Sequence, residues 1–77
     1  MSGDERIMEL EIRDEFIKLG QALKLAGIVG SGVEAKSMIE EGLVLVNGEL
    51  ETRRGKKLRD GDEVSAGGNT FVIRAMM

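Results

Sequence analysis

The chain has 77 residues, 42% of them hydrophobic and 32% charged, with a formal net charge of −3 and no proline, cysteine or histidine. That length makes one small domain, in which roughly 60% of the unfolded chain's surface is the most that folding can bury, and the balance is that of a folded chain rather than a disordered or collagenous one. The missing cysteine and histidine exclude disulfides, thiolate or imidazole metal sites and catalysis centred on either side chain, so the expected class is binding, without cofactor or metal.

No apolar stretch approaches the ~20 residues of a membrane-spanning helix, and the first residues are acidic where a signal peptide would be basic. A monomeric, cytoplasmic protein is expected. Residues 6–13 set Met8, Leu10 and Ile12 in alternation with Glu9, Glu11 and Arg13, the pattern of a half-buried strand with its charged face to water. Asp14 then stands where it can cap a helix over residues 15–26, with Phe16, Leu19, Leu23 and Ala26 at helical spacing and Gly27 as its stop. Ser31 and Glu34 form a capping box for a second helix over residues 32–41, with Ala35, Met38 and Ile39 on one face and Gly42 at its end. The period changes at Leu43. Residues 43–46 read as a strand, Asn47-Gly48 as a tight hairpin turn and residues 49–52 as the returning strand. A basic segment follows as an extended loop, then an Asp60-Gly61 turn and two strands, residues 63–66 and 70–74, joined through Gly67-Gly68-Asn69. The order β-α-α-β-β-β-β predicts a single α+β domain with a two-helix unit packed on a small antiparallel sheet.

Charge placement says more than net charge. Residues 1–15 carry six acids against two bases, whereas residues 53–59 hold five bases (Arg53, Arg54, Lys56, Lys57 and Arg59) and no acid. Acids resume at Asp60, Asp62 and Glu63, so the positive field is local and sharply bounded.

The joint spacing of Lys18-Leu19, Leu23, Ser31, Ala35, Lys36, Ile39, Gly42, Val44, Val46, Asn47-Gly48 and Gly61-Asp62-Glu63-Val64 resembles a family pattern over residues 17–64. The family is the small RNA-binding domain first recognised in ribosomal small-subunit protein S-four, the alpha-L RNA-binding motif. The words Leu19-Gly20-Gln21, Leu23-Lys24-Leu25-Ala26-Gly27 and Glu34-Ala35-Lys36 look most like its free-standing bacterial members, the YaaA and YbcJ group. The chain departs from the pattern at Gly20, where many members carry Asp, and at Gly32, where many carry a basic residue after the capping serine. The second departure moves the expected RNA contact from helix two toward the loop. The resemblance implies a non-catalytic protein that binds structured RNA, foremost ribosomal RNA, on a ribosomal subunit or an assembly intermediate.

The candidate RNA-binding residues are Lys18, Ser31, Lys36, Arg53, Arg54, Lys56 and Lys57. Lys36 and the loop can flank one concave surface, where phosphates displace condensed counterions and arginine forks grip them. Each assignment has a plainer rival. Ser31 is a helix cap first, although the amides beside it suit a phosphate, and Lys36 has Glu40 one turn on as a partner. Lys18 and Lys24 lie on the outer side of helix one, where solubility alone accounts for them, and Asn47 and Gly48 are turn residues first. Two phenylalanines, both read as core, and no tyrosine or tryptophan leave no platform for stacking bases, which favours recognition of shape and backbone. The alternative is a protein-interaction adaptor, using the edge of the acidic N-terminal strand, Ile17, Leu25 and Ile28, or the basic loop against an acidic partner. No enzyme is expected, because Asp60, Asp62 and Glu63 are explained by turn chemistry and neither a phosphate loop nor a nucleophile elbow is present.

Overall fold

A computed structural model describes residues 7–76. The N-terminal acids Asp4 and Glu5, with Arg6, lie outside the described residues. Strand β1 (Met8–Ile12) buries Leu10 and Ile12 and turns Glu9 and Glu11 outward, as its alternation requires. A short strand β2 (Ile17–Lys18) leads directly into helix α1 (Leu19–Leu25), and helix α2 (Gly32–Glu40) follows. Strands β3 (Val44–Val46), β4 (Glu49–Leu50), β5 (Lys57–Leu58), β6 (Glu63–Ala66) and β7 (Asn69–Ala75) complete the chain. The main sheet has the order β1-β7-β6-β3-β4, and β2 pairs with β5 in a separate two-stranded ribbon. No described helix is long and apolar enough to cross a membrane.

The helices cover one face of the main sheet. Leu19 and Leu23 of α1 and Ile39 of α2 meet Val44, Val64, Phe71 and Ile73 from the sheet and Leu58 from the ribbon, all fully buried. Deleting one such side chain leaves a cavity and typically costs about 2–5 kcal/mol. Both helices end in Schellman motifs. The Ile28 and Gly27 amides donate to the Leu23 and Lys24 carbonyls, and the Leu43 and Gly42 amides donate to those of Met38 and Ile39, with Gly27 and Gly42 each at φ +78°, where a side chain would be strained.

Five expectations need correction. The sheet is mixed, because β1 runs parallel to β7 (Leu10 opposite Ile73) while the other pairs are antiparallel; a parallel pair needs a long connection, and everything between residues 12 and 69 supplies it. Helix one is shorter than residues 15–26, since residues 17 and 18 pair with β5 as a ladder, Ile17 opposite Leu58 and Lys18 opposite Lys57. Asp14 does not cap it: the N-cap is Lys18, with no side-chain hydrogen bond. Phe16 is half-buried rather than core, while Phe71 is fully buried. The basic segment is likewise not wholly loop, since β5 lies within it.

Asn47 is the turn residue the hairpin needs, at φ +53°, and its side chain does more. Its Oδ1 accepts from the Glu63 amide at 2.9 Å and its Nδ2 donates to Asp62 Oδ1 at 3.1 Å. The β3–β4 turn is thereby tied to the start of β6. Asp62 also accepts from the Arg59 amide at 2.7 Å, and Asp60 from the Ala75 amide at 2.9 Å, so both carboxylates organise turns. Replacing Asn47 by Ala forfeits both bonds and strains a left-handed residue, a loss of about 2 kcal/mol, expected as a fall in Tm of roughly 8–16 °C. Asn47→Gly keeps the backbone conformation without strain and should fall by about half as much in the same thermal melt.

Candidate nucleic-acid interface

Helix α1 begins without a side-chain cap, yet its first amides are not left open. Leu19 N–H donates to the Lys56 carbonyl at 2.8 Å and Gly20 N–H to the Arg54 carbonyl at 3.1 Å. The basic segment therefore satisfies donors that a helix start cannot satisfy internally. A turn closed by Lys56 N–H to the Arg53 carbonyl at 3.2 Å shapes it, and the ribbon extends the attachment. The loop is held by backbone hydrogen bonds, so its attachment does not consume the charged ends of its side chains.

Two cationic clusters result. The first lines a groove of about 370 Å³ between α1, the start of α2 and the loop, built from Lys18, Gln21, Lys24 and Arg54 around the small residues Gly20, Gly32, Ala35 and Gly55. No acid lines it. The second lies along the ribbon, where Lys57 Nζ stands 4.7 Å and Arg59 Cζ 5.6 Å from the centroid of the Phe16 ring. Cation–π contacts of this kind contribute about 0.5–1 kcal/mol at exposed sites and orient both cations. Lys18 and Lys57 are opposite each other in the ribbon, a like-charged pair that weakens a ladder and concentrates positive potential where the two clusters meet.

The structure thus brings Lys18, Arg54 and Lys57 to neighbouring elements and treats the other candidates differently. Lys56 is half-buried on the loop, and Lys36 is exposed on α2 outside the groove lining. Among the described residues Lys36 forms no ion pair with Glu40. Ser31 Oγ accepts from the Glu34 amide at 3.2 Å, and the Glu34 carboxylate reaches back to the Gly30 amide at 2.6 Å, which completes the capping box one residue earlier than the usual reciprocal contact. Arg53 is engaged: its backbone N–H and Nε donate to Glu51 Oε2 at 2.9 and 3.0 Å. Among the described residues no carboxylate pairs with Arg54.

Residues outside the candidate set also take part. Gln21 and Lys24 follow Lys18 at intervals of three and line the groove with it, a stripe that helical spacing alone would show but whose facing of the loop it would not. Phe16 and Arg59 come together because the ribbon's register, one rung on, sets them opposite each other.

A family model for the S4 domain matches residues 10–74. The chain belongs to the S4 domain family. It is 49% identical over 59 residues to the "Probable ribosome maturation protein RlbA" of Bacillus subtilis (strain 168), covering 77% of this chain and 83% of that protein. To the "Putative RNA-binding protein YbcJ" of Escherichia coli (strain K12) it is 41% identical over 59 residues, 77% of this chain and 84% of that one. The solution structure of YbcJ from E. coli, described as having an alfaL motif involved in RNA-binding, superposes with a TM-score of 0.73 at 32% identity, covering 97% of this chain and 96% of that one. The α+β fold with its two-helix unit is therefore that of the alpha-L motif.

The Glu51–Arg53 contact carries a pH dependence. The Arg53 side-chain hydrogen bond, more than any other influence, holds the Glu51 carboxyl below its ordinary range, outweighing the partial burial that would raise it, and the Arg53 guanidinium is raised in turn. A carboxyl lowered on folding stabilises the fold above its unfolded pKa, and that contribution is lost as pH falls through the folded value. Glu51→Gln should accordingly be less stable than the parent at neutral pH and converge with it below the carboxylate range. Denaturant unfolding at stepped pH checks this; a constant gap down to acid pH would count against the ionic origin.

Proposed function

We propose that this chain is a non-catalytic RNA-binding protein, a single module that recognises structured RNA, foremost ribosomal RNA during ribosome maturation, through the groove and the ribbon beside it. The observation that carries the reading is the gathering of Lys18, Lys24 and Arg54 along α1, with Lys57 and Arg59 on the adjoining ribbon, in a chain whose net charge is −3. A generic solvated surface would intersperse the signs. The proposed contacts are Lys18, Lys36, Arg54, Lys56 and Lys57 on phosphates, with Arg53 joining by exchanging Glu51 for phosphate and Ser31 contributing its hydroxyl. The names of RlbA and YbcJ support the ribosomal and RNA parts of the reading respectively.

Folded RNA is favoured over single strands. Phe71 is fully buried and Phe16 is half-buried with Lys57 and Arg59 over its ring, so the described residues present no array of exposed aromatics for stacking bases, and recognition falls to backbone and shape. The competing adaptor reading draws on β1, whose outer edge is unpaired among the described residues, and on Ile17 and Leu25, which line an apolar hollow on the flank of α1.

The test compares binding to folded ribosomal RNA fragments, single-stranded RNA and duplex DNA over a salt series. Neutralising ~4–5 phosphates should give a log–log salt slope of roughly −3 to −4.5 with folded RNA preferred. Changing Arg53, Arg54, Lys56 and Lys57 together to Ala should flatten the slope by roughly 0.7–0.9 for each phosphate that is no longer neutralised, with circular dichroism unchanged. Equal, weak and salt-insensitive binding to all three would favour the adaptor.

A further inference from the structure

Gly20 occupies the second position of α1 with ordinary helical backbone and is buried. No left-handed φ requires a glycine here, and glycine is a poor helix residue. The reason for it lies in its neighbour. A Cβ built on Gly20 would stand 2.7 Å from Arg54 Cγ and 3.3 Å from Arg54 Cδ, but 3.7 Å from the Arg54 carbonyl oxygen. The first distance is one that real contacts do not reach, and the last is ordinary. A side chain at position 20 would therefore leave the loop's backbone seated on α1, through the Gly20 N–H bond to the Arg54 carbonyl, while expelling the Arg54 stem. Because Cγ is placed by χ1 alone, clearing the Cβ means rotating χ1, and the guanidinium is carried away from its place in the groove that Arg54 lines with Lys18 and Lys24.

We infer that Gly20 is a positioning residue for RNA binding: its missing side chain lets the Arg54 stem lie across α1, so that the guanidinium is held in the groove against an RNA backbone phosphate. This rests on the RNA reading and adds to it the residue that pre-forms the site. Holding Arg54 in place beforehand lessens the ordering cost that a long side chain otherwise meets on binding.

The test is a double-mutant cycle of the parent, Gly20→Ala, Arg54→Ala and the double variant, reading the dissociation constant for a folded ribosomal RNA fragment over a salt series, together with Tm. Gly20→Ala should weaken binding about tenfold, as should Arg54→Ala, the effect of one charge-assisted phosphate contact. Each should flatten the salt slope by roughly 0.7–0.9. The double variant should be no weaker than Arg54→Ala, because nothing remains for Gly20 to position. Tm of Gly20→Ala should be unchanged or raised; if it falls, the clash is the cause, and the double variant, which has no Cγ at residue 54, restores it. Parent-like affinity in Gly20→Ala alongside weaker binding by Arg54→Ala overturns the inference and leaves the RNA reading standing. So does still weaker binding by the double variant, or a lowered Tm that the double variant does not restore. Absence of salt-dependent RNA binding by the parent overturns both.

Discussion

The start of α1 is capped by main-chain carbonyls of the basic segment, and most of what is distinctive about this molecule depends on that contact. A helix start leaves amides that need acceptors, and the usual supplier is a nearby serine, threonine or aspartate. Here the acceptors are Lys56 and Arg54, more than thirty residues downstream. The helix start and the loop consequently stabilise each other. A segment rich in long, mobile cations is held by backbone hydrogen bonds on rigid elements, so its side chains remain available while its path does not wander. The β2–β5 ribbon prolongs the same contact into a ladder, and Leu58, fully buried, anchors it to the core.

From that attachment follows the charge arrangement. The acids of β1 alternate with buried Leu10 and Ile12 and so face away from the core, whereas the groove opens between the helices and the loop. The acids of β1 are thus kept apart from the groove, and a net negative charge is compatible with a local anion-binding surface. Within that surface the cations are not equivalent. Arg53 is bound to Glu51, Lys57 and Arg59 rest on Phe16, and Arg54 lies over a glycine, so each has a different degree of prior organisation.

Much of this fold could be read from the residues because its signals are local. Ser31 with Glu34, Gly27 and Gly42 after the helices, and Asn47-Gly48 between strands each act over three or four residues, and each appears where expected. The expectations that failed involve partners distant in the chain. Asp14 has the chemistry of a cap, but the competing acceptors come from residues 54 and 56. Phe16 fits a helical apolar stripe, but pairing of residues 17 and 18 with β5 removes it from the helix. The direction of β1 rests on which strand it joins, and an alternating pattern is the same whether its neighbour runs parallel or antiparallel.

The candidate site divides along the same line. Composition and order alone determined that the chain has no thiol or imidazole chemistry, that its basic residues cluster within residues 53–59, and that a capped helix and a tight hairpin precede them. Only the tertiary structure decided that Lys18 and Lys24 share a groove with Arg54, that Arg53 is paired while Arg54 is not among the described residues, and that Gly20 bears on Arg54 rather than on its own helix. The physical reason is range. Caps and turns are satisfied within a few residues, so sequence records them, whereas the position of a cation depends on which distant backbone completes the hydrogen bonds of the element that carries it.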